Sequence, residues 1–361
     1  HCLTSFLDFI HQNLDKRNTS LAVAFINFRK AFDLVDHTII IRKAITLGLQ
    51  PNLVSWLADF LSDRSQAVRY QGSVSTPQHL TCGVPQGTKM GPLCFLILIN
   101  DALNDTQHRW KYVDDSTVGM TVDNRAPDYT SLQSTLDTLQ TWTVDNNVTI
   151  NHTKSVVMHF NTAKKQVQPP SVSIGPHPLH VVQSVKLLGI TLDDKLNWKK
   201  HVSTTVKAAS YRLYMLRRLR TLGTPTTELR SIYNTFILPK LMYASPAWSS
   251  SINVTQKRQL ERVQKRACRI ILGQSYLNYE NALTTLNLPN LTVLHLDALK
   301  RFGMNLLSNP RHQNLLPARL SPSTRTTRHH NTLEPIKAPR TDRYKNSAIP
   351  TIVSIINNLK H

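Results

Sequence analysis

The spacing of apolar positions changes character midway along this chain. In the front half, short apolar runs alternate with stretches of helical period. Residues 21–26 form an apolar run after the turn-prone Asn18-Thr-Ser20, which predicts a buried strand. Residues 38–47 read as a helix, and Pro51 opens another that carries Trp56, Phe60 and Leu61. A turn-rich loop at 83–88 leads into an apolar helix from about Pro92. Residues 110–113 and 116–122 predict two strands around a turn at Asp114-Asp115, and Leu132, Leu136, Leu139 and Trp142 recur at helical spacing. Together these predict an α+β domain over residues 1–165. After a Pro-rich stretch at 169–179 the pattern becomes helical. A strand is predicted at 185–192 within a connecting segment, 166–200. Helices follow at 208–220, 228–243 and 255–272 within a helical region, 201–300. The final segment, 301–361, contains a Ser/Thr/Arg/His-rich loop at 321–330, and a short helix is expected after Pro350.

Charge divides the chain the same way. The 361 residues carry 43 Lys+Arg against 22 Asp+Glu, a net charge of +21, with a pI near 10.1. Residues 1–165 hold 15 basic and 14 acidic side chains; residues 166–361 hold 28 and 8. A basic half of that kind takes a polyanion, either nucleic acid or an anionic membrane. Arg262, Lys265, Arg266 and Arg269 crowd one helix whose apolar side carries Leu260, Val263, Ala267 and Ile271, while Arg212, Arg217, Arg218 and Arg220 crowd an earlier one. This layout suits phosphate contact along a duplex, although any single residue here also reads as part of a solvated helix face. Membrane roles are disfavoured. The longest apolar run, 93–99, is far short of a span, and the basic helices lack bulky aromatic anchors. Four scattered cysteines fit neither a zinc site nor a disulfide framework, so reduced thiols and an intracellular location, nuclear and/or cytoplasmic, are expected. The chain opens on His1 rather than Met, which reads as a fragment of a longer product.

Asp114-Asp115 is the first chemical signal. Two carboxylates crowded on a tight turn repel each other, and a divalent cation would remove that cost. Hard oxygen ligands of this kind suit Mg²⁺, with Mn²⁺ as a substitute. A pair of Mg²⁺ ions ~4 Å apart serves nucleotidyl transfer. Alone, the pair reads more readily as a solvated turn than as a metal site.

Further motifs carry a resemblance. Tyr112-Val-Asp-Asp115 resembles the Tyr-x-Asp-Asp box of reverse transcriptases. Gly83-Val-Pro-Gln-Gly-Thr-Lys-Met-Gly-Pro92 with Phe95-Leu-Ile-Leu-Ile-Asn-Asp101 resembles the box upstream of it. Phe32-Asp-Leu-Val-Asp-His37 is similar to the first box of non-LTR (LINE-type, jockey-like) retrotransposon enzymes. The stretch from Trp142 to Lys154 resembles the palm helix and its Asn-x-x-Lys turn, and Val185-Lys-Leu-Leu-Gly-Ile-Thr-Leu-Asp193 the primer-grip hairpin. Tyr243-Ala-Ser-Pro-Ala-Trp248, the segment around Arg266, and Arg340-Thr-Asp-Arg-Tyr-Lys-Asn-Ser347 resemble the thumb and C-terminal extension.

The resemblance implies a right-hand palm with an antiparallel sheet, then a helical thumb and a basic extension. It implies an RNA-directed DNA polymerase that takes an RNA template, a DNA primer and deoxynucleoside triphosphates. Asp114 and Asp115 would bind metal, Phe32 would sit under the nucleotide sugar, and Gln86 and Gly87 would line the nucleotide pocket. Lys154 would assist the leaving pyrophosphate, and Leu187, Leu188 and Gly189 would press on the primer end. One box departs. Relatives read Asp-Phe-x-Lys-Ala-Phe-Asp, whereas this chain reads Asn27-Phe-Arg-Lys-Ala-Phe-Asp33. Asn27 thus stands where a metal-bridging aspartate belongs, and Asp33 and Asp36 match other positions of the motif. Fingers boxes would lie upstream of Leu21, and no endonuclease segment is expected. Weak synthesis is the expectation, with a catalytically dead nucleic-acid-binding remnant or domesticated protein as the alternative.

Overall fold

The computed structural model describes residues 1–163, 167–320, 332–336 and 338–358. It divides into two compact units. One is Ser20–Gln183; the other joins His1–Thr19, with helix α1 (Cys2–Asp15), to Ser184–His361.

The first unit runs, in chain order, through β1 (Thr19–Ile26), α2 (His37–Thr46) and α3 (Pro51–Leu61). Four two-residue strands follow, β2 to β5 (Ser65–Gln66, Arg69–Tyr70, Ser73–Val74 and Gln78–His79), then α4 (Met90–Ile99). The hairpin β6 (Arg109–Tyr112) and β7 (Asp115–Asp123) precedes α5 (Thr130–Asp145) and β8 (Val156–Phe160). A small pair, β9 (Ser173–Ile174) and β10 (His177–Pro178), and β11 (His180–Val181) close the unit. Its main sheet has the order β11-β8-β1-β7-β6. β1 lies at the centre, which is why its sequence is apolar on both faces. It pairs antiparallel with β8 from Leu21↔Phe160 to Phe25↔Val156, and β11 joins β8 in parallel.

Apolar sides of the helices cover this sheet. Ile40 and Ala44 of α2, Leu57 and Leu61 of α3, Phe95 and Leu98 of α4, and Leu132, Leu136 and Leu139 of α5 share one core with Ala22, Ala24 and Ile26. The Asp36 side chain caps α2, accepting from Ile39 N at 3.2 Å. α4 starts at Met90 rather than Pro92, because a proline in the first turn forfeits no helical hydrogen bond.

The second unit opens with a hairpin, β12 (Ser184–Leu187) and β13 (Ile190–Asp193), where apolar spacing predicted one strand and the resemblance a hairpin. Positive φ at Leu188 (44°) and Gly189 (82°) turns the chain. Helix α6 (Lys199–Thr221) begins well before residue 208. The helix expected at 228–243 is three pieces: α7 (Thr226–Ile232), a π-helical turn (Tyr233–Ile237) and α8 (Leu238–Met242). Pro239, which has no N–H to donate to the preceding turn, accounts for the widened turn before it.

Next come α9 (Ser245–Trp248), α10 (Val254–Leu272), α11 (Tyr279–Thr285), α12 (Leu291–Ser308), α13 (Asp342–Lys345) and α14 (Ala348–Asn358). A reciprocal cap starts α10: Asn253 Oδ1 accepts from Gln256 N, and Gln256 Oε1 accepts from Asn253 N, both at 2.9 Å. Pro350 sits inside the first turn of α14, which therefore starts before it. The 321–330 stretch lies outside the described residues. Among those described, no helix is long and apolar enough to cross a membrane.

Candidate active site

Asp114 and Asp115 sit at the tip of the β6–β7 hairpin, whose register pairs Tyr112 with Asp115 and leaves Val113 and Asp114 as the loop. Val113 has φ 56°, a costly conformation for a β-branched residue, and it is held there by packing against the core. Lys111 anchors the strand. Its Nζ donates to the carbonyls of Ile99, Asn100 and Ala102 at 2.8–3.0 Å, satisfying the open C-terminal end of α4. Burial, then the nearby Arg109 charge, holds its ammonium below the usual lysine range. Burial and the neighbouring Asp114 charge raise the Asp115 carboxyl above the usual carboxylate range. The hairpin therefore holds negative charge at a cost that a cation would relieve.

Asn27 directly follows β1, which neighbours β7 in the sheet. Its backbone is fixed from the β8 side: Asn27 N donates to Ser155 Oγ at 3.0 Å, and Asn151 N donates to Asn27 O at 2.7 Å. The same turn carries Lys154, whose N donates to Asn151 O at 3.1 Å and whose side chain is exposed. The Asn-x-x-Lys turn is thus tied to Asn27. Asp33 and Asp36 are committed elsewhere. Asp33 Oδ1 accepts from Gln86 Nε2 at 2.9 Å, and Asp36 caps α2 while its Oδ2 accepts from Asn147 Nδ2 at 2.9 Å. Among the described residues, no group of three or more His, Cys, Asp or Glu side chains could hold a metal ion. The hard carboxylate oxygens of Asp114 and Asp115 fit a divalent cation, whereas the amide of Asn27 carries no charge to offer one.

The nucleotide candidates gather beside one another. Val84 N donates to Phe32 O at 2.9 Å, Gly83 N donates to Val35 O at 2.8 Å, and the Gln86–Asp33 bond crosses the same two loops. Phe32 is half-buried, its ring 5.1 Å from that of Phe95. Gly87, at φ 80°, has open space where a Cβ would stand.

The remaining candidates belong to the second unit. Leu187, Leu188 and Gly189 form the tip of the β12–β13 hairpin, and Tyr243 Oη donates to Leu188 O at 3.0 Å. Arg217 and Arg218 are exposed on α6, as are Arg262, Arg266 and Arg269 on α10. Lys265 is half-buried, with its Nζ 5.8 Å from the Tyr279 ring. Two arginines grouped with them by sequence turn inward instead. Arg212 donates to Phe236 O and lies over that ring, and Arg220 donates to Ile270 O and Ile271 O at the end of α10. The parts played by Lys111, Ser155 and Tyr243 carried no local sequence signal, since each depends on a partner brought near only by the fold.

Comparison with known proteins identifies the family. The family model for reverse transcriptase (RNA-dependent DNA polymerase) matches residues 2–192. The RNA-directed DNA polymerase from mobile element jockey of Drosophila melanogaster is 28% identical over 261 residues, 66% of this chain and 28% of that protein. Its counterpart from Drosophila funebris is 26% identical over 84% of this chain and 34% of its own length. This chain therefore spans a third or so of these relatives. A telomerase from Candida albicans, solved with a fragment of telomeric RNA, aligns over 80% of this chain and 52% of its own at a TM-score of 0.40 and 11% identity, too loose a likeness to add to the argument. The chain belongs to the reverse transcriptase (RNA-dependent DNA polymerase) family and is of the LINE-type, jockey-like kind.

Proposed function

We propose that this chain is the palm and thumb region of a non-LTR retrotransposon polymerase, whose DNA synthesis on an RNA template is crippled by Asn27. The Tyr112–Asp115 hairpin beside a strand that is followed directly by Asn27 carries the reading. In it the unit Ser20–Gln183 is the palm, and the helices from α6 onward form the thumb and extension. Asp114 and Asp115 hold a single Mg²⁺ or Mn²⁺, which would supply charge neutralisation at the reacting phosphate. Phe32 lies under the sugar and excludes a ribose 2′-OH. Gln86 and Gly87 line the triphosphate's approach, and the exposed Lys154 donates to the departing pyrophosphate. Leu187, Leu188 and Gly189 hold the primer end. An amide at Asn27 brings no charge, and the commitments of Asp33 and Asp36 supply no substitute.

The test is primer extension on an RNA template with a DNA primer in Mg²⁺ or Mn²⁺, comparing the unaltered chain with Asn27→Asp. Changes to outer-shell partners alone cost about 10–100-fold, so restoring a direct ligand should raise synthesis by at least about tenfold. Robust synthesis by the unaltered chain would refute the impairment. The same commitments of Asp33 and Asp36 favour a second reading, a binding remnant without chemistry. That reading predicts no synthesis by Asn27→Asp despite retained binding to an RNA–DNA hybrid.

A further inference from the structure

Helix α6 has two unlike long faces. Val202, Ala209, Leu213 and Leu216 are buried against the second unit. The opposite side is exposed and carries Lys207, Tyr211, Tyr214 and Arg218. At 3.6 residues per turn these four fall within about 60° of the helix circumference and along about 16 Å of its axis. Tyr211 is 79% exposed and Tyr214 64%. Neither ring nor hydroxyl has a partner among the described residues. Two adjacent tyrosines so far out in water are not packing residues.

Their surroundings are cationic. The α6 sequence from Lys199 to Thr221 holds seven Lys and Arg and no Asp or Glu. An apolar protein partner would gain nothing from that charge, whereas a polyanion would. The basic face of α10 provides a contrast within the same unit. There Arg262 and Arg266 are also exposed, but the nearby rings of Tyr276 and Tyr279 are already covered by Arg269 and Lys265. That face offers phosphate contacts only, which suits a duplex whose bases are stacked on one another. The α6 face adds two free rings flanked by cations, and free rings need bases with free faces.

We propose that the Lys207–Tyr211–Tyr214–Arg218 face of α6 is a binding site for an unpaired RNA strand, with the two tyrosines stacking bases and Lys207 and Arg218 holding phosphates. This rests on the chain being a nucleic-acid polymerase region, but it is separable from that reading because binding requires no synthesis.

The test uses the full chain and fluorescence anisotropy with three labelled probes: a 12-nucleotide oligouridylate, an abasic strand of the same length, and a 12-base-pair RNA–DNA hybrid. Tyr211→Ala/Tyr214→Ala should weaken oligouridylate binding at least about tenfold, since each stacked base contributes substantially. Binding of the abasic strand and hybrid should stay within about twofold, and the salt dependence of oligouridylate binding should keep its slope. Tyr211→Phe/Tyr214→Phe should bind oligouridylate like the unaltered chain, because the ring suffices. Lys207→Ala/Arg218→Ala should flatten the salt dependence instead. Unchanged oligouridylate affinity in the double alanine variant would overturn the proposal and leave the face to a protein partner. An equal loss on all three probes would also overturn it, because the tyrosines would then be supporting the fold or gripping duplex. Failure of Asn27→Asp in primer extension, with the tyrosine dependence intact, would leave this site standing while the polymerase reading fell.

Discussion

Lys43 and Asp101 form an ion pair at 2.5 Å. Lys43 Nζ also donates to Leu98 O at 2.7 Å and sits 4.8 Å from the centroid of the Trp142 ring, whose Nε1 donates to the same Asp101 oxygen at 3.0 Å. Burial pushes the Lys43 ammonium below the ordinary lysine range, and Asp101 opposes that push. The two partners are unequal: the Lys43 side chain is 10% exposed and that of Asp101 51%. Asp101→Ala strands a buried cation and should cost about 2–3 kcal/mol, whereas Lys43→Met leaves a carboxylate that can turn to water and should cost nearer 1 kcal/mol. Urea unfolding of the two variants checks the order; equal losses would count against it. At this scale the sequence was legible where chemistry is local. Adjacent carboxylates, and an amide in place of an acid, can be read from a few residues. Asp101 could be seen only as the end of a motif, because its partner lies 58 positions away. The bonds of Asn27 to Ser155 and Asn151 were hidden for the same reason.

The β12–β13 hairpin shows what elements add to such pairs. Gly189 is at φ 82°, and a Cβ there would lie 2.8 Å from Tyr243 Cε1 and 3.0 Å from its Oη. Gly189→Ala therefore meets both a strained backbone and a ring that is itself tethered to Leu188 O. A cost of about 1–3 kcal/mol is expected. Tyr243→Phe removes only the hydrogen bond and should cost about 1 kcal/mol. Denaturant titration distinguishes them, and a Gly189→Ala variant as stable as the unaltered chain would show that the hairpin yields freely. Under the polymerase reading, Gly189→Ala should also lower primer extension in an Asn27→Asp background. The Leu-Leu-Gly turn was legible as a hairpin tip by resemblance, whereas apolar spacing alone gave one continuous strand, since only Gly189 interrupts the apolar run of Leu187, Leu188 and Ile190. The Tyr243 contact was not legible. Likewise, spacing gave the helical character of 228–243, but the widened turn before Pro239 is a backbone response that apolar spacing does not encode.

At the scale of the whole molecule, the unexpected feature is α1. Its apolar residues Leu3, Phe6, Leu7, Ile10 and Leu14 bury one side, and the helix groups with the C-terminal unit rather than with the sheet that follows it in sequence. Arg340 N and Thr341 N donate to the two oxygens of Asp15 at 2.9 and 2.8 Å, and Thr341 Oγ1 adds a bond at 2.6 Å. Arg340-Thr-Asp-Arg-Tyr-Lys-Asn-Ser347 thus serves at least partly as a clasp on α1. Inside the clasp lie two titratable groups of opposite habit. Burial raises the Asp8 carboxyl to about 7, against a hydrogen bond from Gln12 and beside Tyr344. Burial, helped by Arg343, lowers the His11 imidazole to about 3, and neither His11 nitrogen has a hydrogen-bond partner among the described residues. The raised acid holds its proton more tightly when folded. Its contribution is complete below about pH 4 and is lost as pH rises to about 7. The lowered base behaves oppositely: its contribution is complete above about pH 6.5 and is lost as pH falls towards 3. Between about pH 4 and 6.5 the two slopes oppose each other, so the clasp's own pH dependence is muted there. Asp8→Asn keeps an acceptor oxygen for the Gln12 amide and removes the charge. It should change stability little at pH 4 and add on the order of 2 kcal/mol at pH 8. Because every other titrating group is common to both chains, the difference between their urea unfolding curves at the two pH values isolates Asp8. A difference that does not grow from pH 4 to pH 8 would mean that water reaches Asp8 in the folded chain and that α1 is held by its apolar face and Asp15 alone.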